Sequence, residues 1–166
     1  QQRQVVRPRD QRRPSAPEMG PERLLLRLMI KDRDWIEKVG ERLGPRDFVD
    51  VRYRAVFEAL LADRDLDRRP EGMVPEAARV LEELLADPAE LGQGHQVFEA
   101  SVNKILSTPL KESLDEVTRK LQNNTLDHQQ KTELLLEKKR LSEEYRDFGV
   151  QDWSLAVETL SKDNHL

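Results

Sequence analysis

The sequence predicts an all-α fold: a five- or six-helix bundle followed by a C-terminal helical hairpin. The 166 residues include 24 leucines but only two Trp, two Tyr and four Phe, and 36% of the residues are charged. Leucine and most charged residues are good helix formers, whereas strands favour β-branched and aromatic residues. Apolar residues also recur at helical spacing along most of the chain, which indicates amphipathic helices.

Composition divides the chain into four predicted segments. Residues 1–20 hold five arginines and three prolines with few apolar side chains, which is typical of a linker. Residues 21–107 are predicted to form the helix-bundle subdomain and residues 108–149 the helical hairpin subdomain. Residues 150–166 form a tail, in which Trp153, Ala156, Val157 and Leu160 have amphipathic helical spacing. A frayed terminus is the alternative for this tail.

Charge and residue usage exclude several classes of function. From residue 21 onward the chain has 23 basic and 30 acidic residues, so direct nucleic-acid contact is not expected from the folded part. The absence of cysteine excludes disulfides, thiolate zinc sites and cysteine nucleophiles. The longest apolar run, residues 24–30, contains Arg27 and is too short to span a membrane. We therefore expect a cytoplasmic protein without membrane contacts.

Helix start signals place the first three helices of the bundle. Pro21 opens a short helix that buries one face, Asp32 or Asp34 caps the second helix, and Asp50 caps the third. The residues predicted to face inward in these helices are Leu24, Leu25, Leu28, Met29, Trp35, Ile36, Val39, Leu43, Tyr53, Val56, Phe57, Leu60 and Leu61.

Two more bundle helices follow a polar stretch at residues 64–72. Pro75 opens a helix that ends before Pro88, and a glycine-rich joint at residues 92–94 precedes a helix over about residues 95–106. Their predicted inward residues are Ala77, Ala78, Leu81, Leu84, Leu85, Val97 or Phe98, Val102, Ile105 and Leu106.

The hairpin is predicted to begin at Thr108, as an N-cap followed by Pro109 at the first helical position. Its first helix carries a narrow apolar stripe, and Asp127 with Gln130 forms a capping-box pattern before a second helix that runs to Gly149. A short loop makes the two helices antiparallel neighbours. The stripes consist of Leu110, Leu114, Val117 and Leu121 in the first helix and Leu134, Leu135, Leu136, Leu141 and Tyr145 in the second.

Three consecutive leucines in the second hairpin helix exceed what one packing stripe can use. At about 100° per residue, residues 134–136 span about 200° of the helix circumference, so at least one should face away from the partner helix. Such an exposed leucine is a candidate docking surface. The alternative is that the bundle or the tail covers all three.

No catalytic, metal or cofactor site is predicted. The three histidines, His95, His128 and His165, are far apart, and the only local metal-like pair is His95 with Glu99. The glycines at 92 and 94 lack the third glycine of a dinucleotide fingerprint. The carboxylate pairs at 82–83 and 143–144 lie on helices with leucine stripes, where solvated faces explain them. An all-α hydrolase with a carboxylate site remains an alternative that needs a concave pocket.

Two segments resemble the carboxy-terminal helicase-binding domain of bacterial DNA primases. They are PERLLLRLMI at residues 21–30 and FVDVRYRAVFEALL at residues 48–61. The resemblance covers residues 21 to about 148 and also rests on order: an arginine-rich connector, a helical bundle with a leucine-rich first helix, and a terminal hairpin. The tail after Gly149 and the polar loop at residues 64–72 depart from the family pattern.

The resemblance implies a non-catalytic module without cofactors, cut from a primase whose polymerase core lies elsewhere. It implies that the hairpin docks on the N-terminal domains of the hexameric replicative helicase, and that the bundle modulates the helicase. The hairpin residues implied for this contact are Leu126, Lys131, Leu134, Leu135, Lys138 and Tyr145. It also implies, for some members, binding of the acidic tail of single-stranded-DNA-binding protein, for which Arg23 and Arg27 are the candidates. The alternative is the N-terminal oligomerisation and docking domain of the helicase itself, which shares the bundle.

Overall fold

The computed structural model describes residues 20–88 and 92–148, and this part of the chain is all-helical. A short 3-10 helix, Pro45–Asp47, lies between the second and third α-helices. The predicted tail helix around Trp153 falls outside the described residues. The α-helices are α1 (Pro21–Lys31), α2 (Asp34–Arg42), α3 (Val51–Ala62), α4 (Pro75–Ala86), α5 (Gly94–Leu121) and α6 (His128–Asp147).

Most of the predicted helix starts are confirmed. Pro21 and Pro75 occupy the first turns of α1 and α4, where a proline removes no intrahelical hydrogen bond. The Asp50 carboxylate caps α3 by accepting a bond from the Arg52 backbone N–H. Asp127 and Gln130 form the predicted capping box of α6, with each side chain accepting from the other residue's backbone N–H. The prediction for α2 is wrong, because Arg33 and neither Asp32 nor Asp34 occupies the N-cap position. The Asp32 carboxylate still accepts a bond from the Asp34 backbone N–H.

The first helix lies at the centre of the fold. The sequence predicts burial of one face of α1, but all seven residues at 24–30 are buried, including Leu26 and Ile30. The reason is that α1 contacts four other helices, α2, α3, α4 and α5. A helix that is apolar on nearly all sides is stable only when surrounded in this way. Each buried leucine of α1 adds about 2 kcal/mol by leaving water.

The fifth helix does not break where the sequence predicts. Gly94–Leu121 is one continuous α-helix of 28 residues with Pro109 inside it, so the prediction that a new helix begins at Thr108 is wrong. Thr108 Oγ1 instead donates to the Lys104 carbonyl at 2.7 Å. Proline is costly in a helix interior but does not always end a helix when the residues on both sides are packed. The predicted subdomain boundary at residues 107–108 therefore lies within α5.

α5 packs against both the core around α1 and α6. Val97, Phe98, Val102 and Ile105 are buried, and the last three belong to the same core as α1. α5 also packs against α6. Within residues 108–148 only Val117 and Leu141 are buried apolar side chains, so the contact between α5 and α6 removes little apolar surface from water.

We predict that Pro109→Ala increases the free energy of unfolding by about 1–3 kcal/mol. Alanine supplies the backbone N–H that proline lacks and removes the ring that crowds the Ile105 carbonyl. Urea unfolding followed by circular dichroism measures the change. The matched control is Pro75→Ala in the first turn of α4, which should change stability far less. A Pro109→Ala protein that is no more stable than the parent would contradict this reading of α5.

Candidate functional site

The candidate docking site is the outer surface of α6. Its inner side faces α5 and carries the buried Leu141 with the half-buried Leu134, Lys138 and Tyr145. These four residues recur at intervals of three or four, which places them on one side of the helix. The capping box at Asp127 fixes where α6 begins, and packing on α5, which buries Leu141, sets which residues point outward.

Two of the three consecutive leucines are exposed. Leu135 is 54% exposed and Leu136 is 64% exposed, whereas Leu134 is half-buried on the inner side. The prediction that at least one of the three faces away from the partner helix is confirmed. The two exposed side chains point about 100° apart around the helix axis, so a partner protein has to cover a broad part of α6 to bury both.

The other residues predicted for the docking site lie around the same helix. Lys131 is exposed on α6, and Lys138 is half-buried at the edge of the inner side. Leu126 precedes α6 in the connection from α5 and is half-buried. Tyr145 is half-buried on the inner side, so its truncation would disturb the packing of α6 on α5 as well as any docking contact.

Sequence reasoning missed Lys139 and Arg146, which share the outer side with Leu135. Both side chains are exposed. Within residues 20–88 and 92–148, neither Lys139 nor Arg146 forms an ion pair, and the same holds for Lys131 and Lys138. The distribution of charged residues around the helix axis could have identified Lys139 and Arg146 from the sequence. The spacing of the leucines alone gives no information about charge.

The structure places Arg23 and Arg27 against α4. Arg23 lies 3.3 Å from Glu83, and Arg27 Nε lies 3.2 Å from Asp87 Oδ2. The Arg27 side chain is only 8% exposed, and its Nε makes no hydrogen bond of good geometry in the described part, so its contact with Asp87 is electrostatic. An acidic peptide tail would have to compete with both carboxylates for these arginines.

Lys31 continues the same row of cations on α1. Its ammonium group donates to the Asp87 carbonyl at the end of α4. Residues 23, 27 and 31 recur every four positions, which aligns them along one side of α1. Because a helix C-terminus carries partial negative charge, the cations near Asp87 stabilise the end of α4. The arginines of α1 therefore serve to connect α1 to α4.

A second exposed apolar spot surrounds the cap of α3. Val49 is 78% exposed and Val51 is 69% exposed, on either side of Asp50. Glu22 of α1 lies beneath this turn, and its Oε1 accepts a bond from the Asp50 backbone N–H at 3.3 Å. Burial raises the pKa of Glu22, although the backbone N–H groups of Asp50 and Val49 oppose this rise.

The raised pKa of Glu22 has a structural cause. A carboxyl group with a raised pKa can serve as a general acid when it faces a pocket. Glu22 instead joins the start of α1 to the turn before α3. Asp50 behaves in the opposite way, because bonding to the Arg52 side chain lowers its pKa. The arrangement therefore anchors two helices.

A shallow groove of about 460 Å³ lies between α2 and α3. Arg33 on its rim donates to the Arg64 carbonyl at 2.9 Å, and the Arg64 guanidinium pairs with Asp34. The groove carries both signs of charge and a small apolar floor. Its lining consists of Arg33, Ile36, Glu37, Gly40, Glu41, Leu60, Leu61 and Arg64.

The residues considered for metal binding and catalysis are separated or engaged elsewhere. Glu99, which stands four residues after His95, lies 3.8 Å from Arg42 of α2. Glu83 pairs with Arg23 and Glu144 with Arg140, while His165 lies outside the described residues. In the described part of the chain no three His, Asp or Glu side chains gather as metal ligands. No helix described in the structure has the length and apolar character needed to cross a membrane.

Comparison with known proteins found no match to a protein-family model, a curated protein or a solved structure.

We predict that Asp50→Ala lowers the free energy of unfolding by about 1 kcal/mol near neutral pH, through loss of the α3 cap. Asp50→Asn keeps the capping oxygen and should lose about half as much, mainly the charge contact with Arg52. Because the pKa of folded Asp50 lies below its ordinary value of 3.8, its charge stabilises the fold above that pH. This contribution is lost as the pH falls through the folded-state pKa.

Urea titrations at several pH values measure this effect. The stability difference between the parent and Asp50→Asn should shrink as the pH falls below 3.8. A difference that stays constant down to acid pH would show that the charge of Asp50 plays no part in capping α3.

Proposed function

We propose that this chain is a non-catalytic docking module, the helicase-interaction domain of a bacterial DNA primase. It binds the N-terminal domains of the hexameric replicative helicase. In this proposal α1 to α4 and the first part of α5 form the bundle, and the second part of α5 with α6 forms the terminal hairpin. The hairpin docks on the helicase and the bundle modulates its activity in the bacterial cytoplasm.

One observation carries the proposal: the exposure of Leu135 and Leu136 side by side on α6. Covering two leucines that are otherwise exposed to water lowers the free energy of the complex. The surface from which they project is convex, because α6 is one continuous helix. A convex apolar contact point surrounded by polar groups suits protein docking better than small-molecule binding, which needs a concave pocket.

The second segment that carries the family resemblance, residues 48–61, has a structural role in the bundle, as the proposal expects. Phe48 and Phe57 are fully buried and stack with their ring centroids 4.6 Å apart. The Arg54 guanidinium donates two bonds to the Phe48 carbonyl, at 3.0 and 2.8 Å. The motif at residues 48–61 thus builds the turn into α3, and the hairpin is left for partner contact.

The proposed activity is tethering. A primase bound to the helicase ring has a high effective concentration near the unwound strand, without any new contact to that strand. Primer synthesis is thereby coupled to unwinding at the fork. The primase that contains this module would catalyse nucleotidyl transfer, and the module would position that primase on the helicase.

We predict that Leu135→Ala weakens binding to the helicase about thirtyfold, or roughly 2 kcal/mol, if this leucine lies at the centre of the interface. Leu136→Ala should weaken it to a smaller or similar extent. Both side chains are largely exposed, so neither substitution creates an internal cavity. Calorimetric titration of the chain against the hexameric helicase of the same organism measures the change.

The matched control is Leu61→Ala, which truncates a leucine of similar type on α3 that is 45% exposed. It should leave the affinity unchanged. An unmodified chain that gives neither heat nor a mobility shift with the helicase would end the proposal. Equal weakening by Leu61→Ala and Leu135→Ala would remove α6 as the contact site.

A further inference from the structure

Charge is segregated around α6. At about 100° per residue, the side centred on Leu135 carries His128, Lys131, Thr132, Lys138, Lys139, Ser142 and Arg146. None of these residues is acidic. Glu133, Glu137, Glu144 and Asp147 lie on the other exposed side of α6, where Arg140 is the one basic residue and pairs with Glu144 at 3.1 Å. The exposed Glu143 lies between the two sides, about 80° from Leu135.

Three lysines surround one exposed leucine. Lys131, Lys138 and Lys139 stand at i−4, i+3 and i+4 from Leu135, and residues at these spacings are neighbours on a helix surface. Leu135, Lys131, Lys138 and Lys139 together form what we name the lysine-ringed face. Within the described ranges 20–88 and 92–148 its three ammonium groups have no ion-pair partner.

The arrangement of like charges has a cost in the isolated chain. Lys138 and Lys139 are adjacent and Lys131 lies about two helix turns before them, so the three cations repel one another only weakly, and this repulsion is relieved when anions approach. Elsewhere in the structure cations of neighbouring helices meet carboxylates, as Arg23 meets Glu83 and Arg42 meets Glu99. On the lysine-ringed face the chain supplies the apolar centre and the cations, and the one carboxylate at its border, Glu143, forms no ion pair with Lys139 in the described residues.

We propose that the lysine-ringed face binds an acidic protein surface, an apolar depression bordered by Asp or Glu side chains, on the partner that α6 contacts. This inference rests on the proposed function, because it names the chemistry of the helicase surface that receives α6. Leu135 enters the depression while the lysines face the carboxylates around it. Such complementarity steers the encounter and fixes the orientation of the helix on its partner.

Protein fits this face better than nucleic acid. A phosphate backbone satisfies the lysines but offers no apolar counterpart for Leu135, which is 54% exposed at their centre. The acidic residues on the opposite side of α6 would also repel a strand that wrapped around the helix. A protein depression satisfies the leucine and the lysines together.

Charge reversal tests the inference. In titrations of the full chain against the hexameric helicase, Lys139→Glu should weaken binding about tenfold or more, because it places a carboxylate against the acidic border. The matched control is Arg79→Glu on α4, an exposed position with the same change in net charge, which should change affinity about twofold at most. Circular dichroism checks that both variants keep the helical content of the parent.

Salt dependence gives an independent readout. Raising salt from about 0.1 M to about 1 M shortens the Debye length from about 10 Å to about 3 Å, so binding of the parent should weaken markedly. Binding of Lys139→Glu should depend less on salt than binding of the parent.

Three results would overturn the inference, and they separate it from the proposed function. If the parent binds the helicase but Lys139→Glu binds equally well, the lysine-ringed face is not used, while docking itself stands. If the parent does not bind the helicase, both the docking and the acidic surface are excluded. If labelled single-stranded DNA binds the chain, and Lys139→Glu abolishes that binding but not helicase binding, the lysines bind the phosphate backbone of nucleic acid.

Discussion

Burial of α1 on all sides is the constraint on which the rest of the structure depends. A seven-residue run at 24–30 has no exposed side, so α2, α3, α4 and α5 must all be placed around it. The same burial forces a charge inside, because Arg27 lies within the run. Since a buried cation is costly unless paired, Asp87 at the end of α4 lies beside it, and Lys31 bonds the same residue's carbonyl.

The α5–α6 contact depends less on apolar burial than the core around α1 does. It buries two apolar side chains between residues 108 and 148, far fewer than the core around α1. Little apolar burial leaves α6 with low local stability and with apolar and charged groups facing water. Continuity of α5 through Pro109 compensates, because one helix belongs to both the core and the contact with α6. A helix that presents apolar and charged groups to water and is joined to a stable core is well suited to docking.

Local signals predicted the elements, and packing decided what they could not. The caps at Asp50 and Asp127 follow from short-range hydrogen bonding, so the sequence was enough to find them. The break at Pro109 was predicted wrongly, because the cost of a proline is local whereas the packing that holds α5 together is not. The pairing of Arg27 with Asp87 joins residues sixty apart, which no local pattern reveals.

The candidate site shows the same division. Helical periodicity alone predicts that one leucine of residues 134–136 must face outward, and two do. Periodicity does not show which cations remain unpaired, since ion pairs depend on neighbouring helices. Arg23 and Arg27 illustrate the point. The sequence suggests that these two cations are available to bind an acidic tail, yet Arg23 contacts Glu83 of α4 and Arg27 contacts Asp87 at the end of α4. Lys139 and Arg146, by contrast, remain without an ion pair in the described residues.

Hydrogen exchange of the full chain, alone and with the hexameric helicase, tests most directly whether α6 is the docking element. Docking through α6 predicts slower exchange in the partner's presence for amides of His128–Asp147 and of the C-terminal part of α5, with α2 and α3 unchanged. Slower exchange confined to α1, α2, α3 or α4, with α6 exchanging as in the free chain, would contradict it.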